Sequence, residues 1–342
     1  MQAKLACHID DGKTKFTVSF KMRVVPEHLS GEYVTAMISC RLYTNGNLRP
    51  MKVAIGPLEN QSSLHWLIIY QPLNAQISLM SVCVGPIFGN YPHVSHVAEF
   101  FTYYTTMGVE TFHVYLENAS QAVTFLLLHL QTRANVSIKF HWWNIENEGR
   151  HFMIHGQLAA IQDCIYRSKR SSKYVVNVDL DEFIVPTAGR TLSHAVVDLE
   201  KSVGERSLGS MLVPNWMFCF EYPANSSVFR GPPFFLTTAL TTRERKPWFY
   251  KVRSKYIAST SAVVMGGVHF VWKHTPGRRE VKVPETVLAL NHYRTCCGLE
   301  NYAVLNKLVL NHTDVVRDKT IQRHMWRAMT SLVFAAIKEL TL

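Results

Sequence analysis

Apolar and polar residues alternate one by one across residues 15–24. Phe16, Val18, Phe20, Met22 and Val24 fall on one side, and Lys15, Thr17, Ser19, Lys21 and Arg23 on the other. That is the period of a half-buried antiparallel strand. Similar short runs follow at residues 36–43 and 51–55, with Thr44-Asn45-Gly46-Asn47 as a turn between them. Residues 1–76 are therefore expected to form a small β-rich N-terminal domain.

At Leu79 the pattern changes. A continuous apolar strand over residues 81–87 precedes Val94, Val97, Ala98, Phe101 and Tyr104 at helical spacing. Residues 111–116 read as the next strand, 122–130 as a buried helix and 136–140 as a third strand. A third helix then places Ile154, Leu158, Ile161 and Ile165 on one face. A β-branched run over 174–178 closes the series. Strands alternating with helices predict a parallel sheet with covered faces, so residues 77–342 are expected to be an α/β domain. Farther on, the pattern predicts a helix over 192–199, a strand over 210–213 and an aromatic, proline-rich tract over 216–235. Strands within 263–271 follow, then a C-terminal helix over 320–340 capped by Asp318 or Thr320.

The strand over 174–178 runs into Asp179-Leu180-Asp181-Glu182, and the chain then resumes as Phe183-Ile184-Val185-Pro186. In open α/β sheets ligands bind beyond the carboxyl ends of the strands. Acidic groups crowded there repel one another unless a cation relieves them, which points to a hard divalent metal. A haloacid-dehalogenase-type phosphohydrolase also begins with DxD after a strand. Here Phe183 stands where that motif has Thr or Val, and three strand–helix units come first. Both facts weigh against it.

Composition adds less. The formal charge of +11 and pI near 9.3 favour anionic partners, but no nucleic-acid motif accompanies them, so no nucleic-acid partner is expected. No apolar stretch is long enough for a membrane span, and the N-terminus is too polar for a signal segment. The seven cysteines lack CxxC spacing, which disfavours zinc, and their odd number leaves at least one thiol unpaired. Asn-x-Ser/Thr sequons at Asn60, Asn118, Asn135, Asn225 and Asn311 hint at a secretory-pathway protein.

His155-Gly156-Gln157-x-Ala159-Ala160-x-x-Asp163-Cys164, the DLDEFIVP run at 179–186, Gly267-Val268-His269 and Asn291-His292-Tyr293-Arg294 together resemble glycosyltransferase family 92. The upstream Glu99–Tyr104 and Gly108–Tyr115 stretches fit the same pattern. The resemblance covers residues 79 to about 297. It implies a GT-A fold with a mixed, largely parallel sheet, a donor-nucleotide half over 77–190 and an acceptor half over 191–342. It also implies Mn²⁺ (or Mg²⁺) and inverting transfer from UDP-galactose to a glycan, as in a β-1,4-galactosyltransferase. The partners would be the nucleotide sugar and a glycoprotein glycan ending in galactose or fucose. Family members are generally type II Golgi membrane proteins, which implies the Golgi lumen, although no anchor is visible in this sequence. A non-catalytic glycan-binding relative with the same fold is the alternative.

Within that frame Asp181 is the first choice of metal ligand, with Asp179 reaching the nucleotide ribose or the metal's water shell. His292 is a candidate third ligand, and His269 competes with it. Arg294 would share a face with His292 in an extended segment and could grip a phosphate bidentately. His155 and Gln157, at the start of the third helix, could meet the donor sugar or diphosphate. Lys255 could support the diphosphate, or be a solvated lysine. Asp163 could serve the donor too, although its i, i+4 spacing to Arg167 reads equally as a surface pair. Glu182 points away from the acidic pair if strand alternation continues, which leaves a salt bridge as open to it as a role in the site. Inversion needs a carboxylate base near the acceptor hydroxyl, and Glu221 ranks slightly ahead of Glu244 for it. Trp216, Phe218, Phe220 and Trp248 could stack on sugar faces or be core.

Overall fold

The run expected as one strand over residues 15–24 is two strands with different partners. In the computed structural model the described residues are 4–27, 32–42, 50–59, 64–69, 78–145, 153–222, 235–297 and 314–340. The chain divides into two compact units, Met1–Ala75 and Gln76–Leu342. The first unit holds β1 (Leu5–Asp10), β2 (Lys15–Val18), β3 (Phe20–Val24), β4 (Ala36–Cys40), β5 (Lys52–Pro57) and β6 (Leu67–Ile68). Its four-stranded antiparallel sheet runs β2-β1-β5-β6, while β3 pairs only with β4 among the described residues. Beyond Ser19 the supposed buried face fails: Met22 is 58% exposed and Val24 41%. The buried stripe lies instead on β1, at Ala6, Cys7, His8 and Ile9, and a Cys7–Cys40 disulfide ties that sheet to the β3–β4 pair. The expected turn at residues 44–47 lies outside the described residues.

The second unit opens with β7 (Ser78–Ile87), α1 (Val94–Thr106), β8 (Thr111–Leu116), α2 (Gln121–Arg133), β9 (Ser137–Trp142), α3 (Gln157–Ser168) and β10 (Ser172–Val178). Then come β11 (Glu182–Pro186), α4 (Leu192–Val203), β12 (Leu208–Val213), β13 (Asn215–Cys219), α5 (Leu236–Ala239), β14 (Thr242–Glu244), β15 (Lys255–Ser259) and β16 (Val263–Met265). The last elements are β17 (Lys273–His274), β18 (Arg279–Lys282), β19 (Leu288–Arg294), β20 (Val315–Arg317), α6 (Thr320–Ala328) and α7 (Leu332–Lys338).

A seven-stranded mixed sheet runs β18-β12-β15-β10-β7-β8-β9. The pairs from β10 through β9 are parallel, as is β12 with β18, while β15 runs antiparallel to both its neighbours. From β7 the chain builds outward through β8 and β9, then returns to β10 on the other side of β7. The carboxyl ends of β7 and β10 thus mark a topological switch point, where such sheets bind ligands.

Burial explains why these segments hold. Tyr174, Val175, Val176 and Val178 of β10 are buried, as a strand covered on both faces must be. Helix α1 buries Phe100, Phe101, Tyr103 and Tyr104 against Phe112 and Phe183, each such ring worth about 2 kcal/mol. A Cys83–Cys164 disulfide fastens β7 to α3 across 81 residues of sequence, a loop long enough for the closure to contribute about 4 kcal/mol.

The structure departs from the sequence pattern at three places in this unit. Helix α3 begins at Gln157, because Ile154, His155 and Gly156 take left-handed φ of 47°, 51° and 69°. Ile154 is therefore off the helix face and 45% exposed. Of the strands expected within 263–271 the structure shows one, β16, which ends at Met265. A Cβ on Gly266 would come within 2.5 Å of Ile165 Cδ1, and the Gln162 amide binds both Gly266 N (3.0 Å) and Gly266 O (2.8 Å), turning the backbone inward. The single C-terminal helix is two, since the Ser331 hydroxyl accepts from Phe334 N (3.2 Å) and starts α7. At the head of α6 the N-cap position falls on Lys319, whose side chain makes no capping bond, and Asp318, one residue earlier, accepts Thr320 N at 2.8 Å.

Candidate active site

The three-residue link Asp179-Leu180-Asp181 carries the chain from β10, in the seven-stranded sheet, to β11. Strand β11 belongs to a three-stranded sheet ordered β11-β19-β13. The link is a tight turn: Glu182 N donates to Asp179 O (3.1 Å), and Asp179 N donates to the Glu182 carboxylate (2.9 Å). Strand alternation therefore does not reach Glu182. Contrary to the sequence expectation, its side chain turns back beneath the acidic pair and is 1% exposed. Tyr104 braces the turn, donating to Glu182 O (2.9 Å) and accepting from Ile184 N (3.0 Å).

The predicted residues Asp179, Asp181, Gln157, Lys255 and His292 meet here. Asp179 accepts from Gln157 Nε2 (3.0 Å) and from Lys255 Nζ (2.7 Å). Lys255, projected from the start of β15, is no solvated lysine: it is 1% exposed and also lies 3.2 Å from Glu182. His292, on β19, pairs in register with Glu182. Its Nε2 sits 3.4 Å from Asp181 Oδ2 and its Nδ1 3.4 Å from Glu182 Oε1. Asp179 and Asp181 keep 39% and 38% side-chain exposure, so both carboxylates open to solvent. Gly85, at the end of β7, leaves room beside them; a Cβ there would lie 3.5 Å from Gln157 Nε2 and 3.8 Å from Asp179 Oδ1.

Electrostatics follows from this packing. Burial pushes the Asp181 carboxyl up, but His292 and Lys255 outweigh it and leave the group below its ordinary range. Burial dominates at Glu182 and raises it. Lys255 loses hydration by burial, yet Asp179 and Glu182 outweigh that loss and hold its ammonium firmly charged. Among the described residues at the turn, the three carboxylates of Asp179, Asp181 and Glu182 face the one ammonium of Lys255, a formal excess of negative charge that a bound cation would balance. One carboxylate oxygen of Asp181 and one imidazole nitrogen of His292 stand side by side as donors that could hold a divalent ion; the carboxylate suits Mn²⁺ or Mg²⁺, and the imidazole favours Mn²⁺ of the two. Such ions commonly bind through one or two carboxylates and take substrate phosphates for the rest.

His269 lies within reach of Lys255 and His292. Burial, then the positive charge of Lys255 and Arg253, pushes it down to about 3, so its ring is neutral. Its buried Nδ1 has no hydrogen-bond partner among the described residues.

The other predicted residues lie elsewhere or serve the fold. His155 is held outside α3 by Glu117 (2.9 Å), by stacking on Phe88 (3.7 Å) and by Trp143 Nε1 donating to its carbonyl (2.9 Å). Asp163 accepts from Tyr115 OH (2.6 Å) and Arg167 Nε (2.6 Å). That is a separate network on β8 and α3. Arg294 Nε donates to Thr295 O (3.2 Å) rather than reaching the acidic pair. Glu221 accepts Cys296 N and Cys297 N (3.0 and 2.9 Å) beside the Cys219–Cys296 disulfide. Glu244 is buried, accepts from Trp248 Nε1 (2.6 Å), and has no hydrogen bond in range on Oε1 among the described residues. Burial lifts it to about 7, against the downward pull of Trp248 and Tyr222. Of the four candidate stacking rings only Phe220 is exposed; Trp216, Phe218 and Trp248 are core.

Tyr91, between β7 and α1, and His96, in the first turn of α1, were not among the expected site residues. The charge of Asp181 reaches Tyr91, which burial and that charge together push up to about 12, and His96, which burial pulls down. The Gly-Pro-rich turn after β7 was the available signal, since ligand sites of this architecture use the first strand–helix loop.

The glycosyltransferase family 92 model matches residues 79–329 of this chain. A protein described as beta-1,4-galactosyltransferase galt-1, from Caenorhabditis elegans, is 24% identical over 247 residues, covering 70% of this chain and 53% of the relative. A glycosyltransferase family 92 protein from Ricinus communis is 25% identical over 211 residues, covering 58% of this chain and 33% of its own. The chain thus spans about half the length of one relative and a third of the other. A solved structure, HddC from Yersinia pseudotuberculosis, aligns over 68% of this chain and 99% of its own with a TM-score of 0.33 and 11% identity, a superposition too loose to bear on the fold. The family match takes in the whole acidic turn, Lys255, His269 and His292, and covers most of the second unit: this chain belongs to glycosyltransferase family 92.

Proposed function

We propose that the chain is an inverting galactosyltransferase of GT-A type. It would move galactose from UDP-galactose to a glycan hydroxyl, on a terminal galactose or fucose of a glycoprotein, with a Mn²⁺ (or Mg²⁺) at the acidic turn. The observation that carries this reading is the pairing of Asp181 and His292 at the mouth of the switch-point crevice, with a formal excess of negative charge around it. The name of the nematode relative favours galactose and a β-1,4 linkage. A bound metal ion would supply charge neutralisation for the diphosphate as the glycosidic bond stretches. Asp181 and His292 would hold that ion, with His269 as the alternative imidazole. Lys255 fixes one oxygen of Asp179, and Gln157 orients the other toward the crevice. Asp179 then presents an acceptor to the nucleotide ribose or to metal-bound water. The disulfides among the described residues support an oxidising compartment, which suits the Golgi lumen.

For the base we favour Glu244 over Glu221, reversing the order the sequence suggests. The Glu221 carboxylate is occupied by two backbone amides, whereas burial lifts Glu244 to about 7, a value suited to proton removal. Glu244→Gln should lower kcat by about 10²–10⁴ with the melting temperature retained. The base must be ionised to act, so the native rate should fall as pH drops below about 7. A Glu244→Gln chain turning over at the native rate would return the assignment to Glu221 or elsewhere.

The test of the function as a whole is a sugar-nucleotide hydrolysis screen with and without Mn²⁺, followed by a glycan acceptor array. UDP-galactose should be consumed only with the metal. Turnover of no sugar nucleotide under either condition would favour a glycan-binding role.

A further inference from the structure

Glu182 is fully buried, yet it stands between two of the groups the mechanism uses. One carboxylate oxygen takes Asp179 N at 2.9 Å and lies 3.2 Å from Lys255 Nζ. The other faces His292 Nδ1 at 3.4 Å, a few tenths of an ångström beyond hydrogen-bond range. That nitrogen is buried and has no other hydrogen-bond partner among the described residues. The opposite ring nitrogen, Nε2, faces Asp181 and the crevice. A histidine that ligates a metal nearly always gives its other N–H to a carboxylate or carbonyl, which fixes tautomer and ring orientation. The register of β11 against β19 places Glu182 directly opposite His292, and Tyr104 fixes the Glu182 backbone from behind. The carboxylate therefore cannot drift from the ring without breaking the turn.

We propose that Glu182 is the positioning residue for His292: it holds the proton on Nδ1, so that the Nε2 lone pair points at the cation beside Asp181. The proposal rests on the metal reading given above. It explains why a third carboxylate is buried beneath an acidic pair that already repels itself. Packing alone would be served by an apolar side chain, because burying a carboxylate is costly unless it is paired.

The test is Mn²⁺ affinity, read from the free-ion EPR signal in titrations of the 342-residue chain without nucleotide. Glu182→Gln removes the charge at nearly constant volume. Glu182→Asp keeps the charge near Lys255, and so protects the fold, but is one carbon short of His292. Each variant is measured alone and combined with His292→Ala, with melting curves to show that it is folded. Both Glu182 variants should weaken Mn²⁺ binding by about ten- to a hundredfold. In the His292→Ala background the same changes should alter affinity less than about threefold, because the ring through which Glu182 acts is gone. Equal losses in both backgrounds, or native affinity in Glu182→Asp, would overturn the proposal while leaving the metal site standing. Absence of Mn²⁺ binding by the unaltered chain would overturn the metal reading and this inference together.

Discussion

Asp181→Ala should abolish Mn²⁺-dependent turnover of UDP-galactose, lowering kcat/KM by at least about a hundredfold while the protein remains folded. The size follows from the role proposed for it. Losing one well-placed electrostatic group at a site of developing charge costs about 10²–10³ in rate, and Asp181 would be one of only two protein ligands at the ion. The fold should survive because the side chain is 38% exposed and its close partner among the described residues is His292. What braces the turn is the Asp181 backbone, whose carbonyl accepts Tyr293 N at 2.9 Å, and that remains in the variant. Steady-state kinetics across a Mn²⁺ series, beside a melting curve, read both halves of this expectation. Unchanged kcat/KM would remove Asp181 from the site.

Lys255→Met should have the largest effect on stability. The ammonium is 1% exposed and pairs with both Asp179 and Glu182. Without it a buried carboxylate stands uncompensated, a loss of about 3–5 kcal/mol, or roughly 10 °C in melting temperature for a unit of this size. Added Mn²⁺ should recover part of that loss, since a ligand that binds only the folded state stabilises it by mass action. Calorimetry with and without the ion reads both effects. A variant that melts with the native protein would mean that the lysine does not balance the acidic turn.

The sequence made the frame of the second unit legible, because β7, α1, β8, α2 and β10 are long segments of unambiguous period. It failed where tertiary contacts override periodicity. Alternation through residues 15–24 said nothing of the change of partner at Ser19. The inward bend at Gly266 depends on Gln162, more than a hundred residues earlier. Composition did not separate α6 from α7, although the Thr330-Ser331 cap signal was present.

The candidate site was half legible for the same reason. Asp179, Asp181, Gln157, Lys255 and His292 carried motif or family signals, and the structure gathers them around one turn. Glu182 was misread because alternation was extended through a turn that the acidic residues themselves create. Asp163 was drawn in by its motif, but its partners Tyr115 and Arg167 belong to another network. Tyr91 and His96 had no signal beyond the Gly-Pro-rich turn that follows the first strand of the sheet. Glu221 and Glu244 were indistinguishable by spacing, since what separates them is burial and which backbone amides point at them.

The account stands on a divalent cation held at the end of β10 by Asp181 and His292. Anomalous scattering from crystals grown with Mn²⁺ and UDP tests it most directly. The expected map has one manganese peak within coordination distance of Asp181 and His292, with diphosphate oxygens completing its shell. UDP bound in the crevice with no manganese there, or manganese bound away from Asp181, would contradict it.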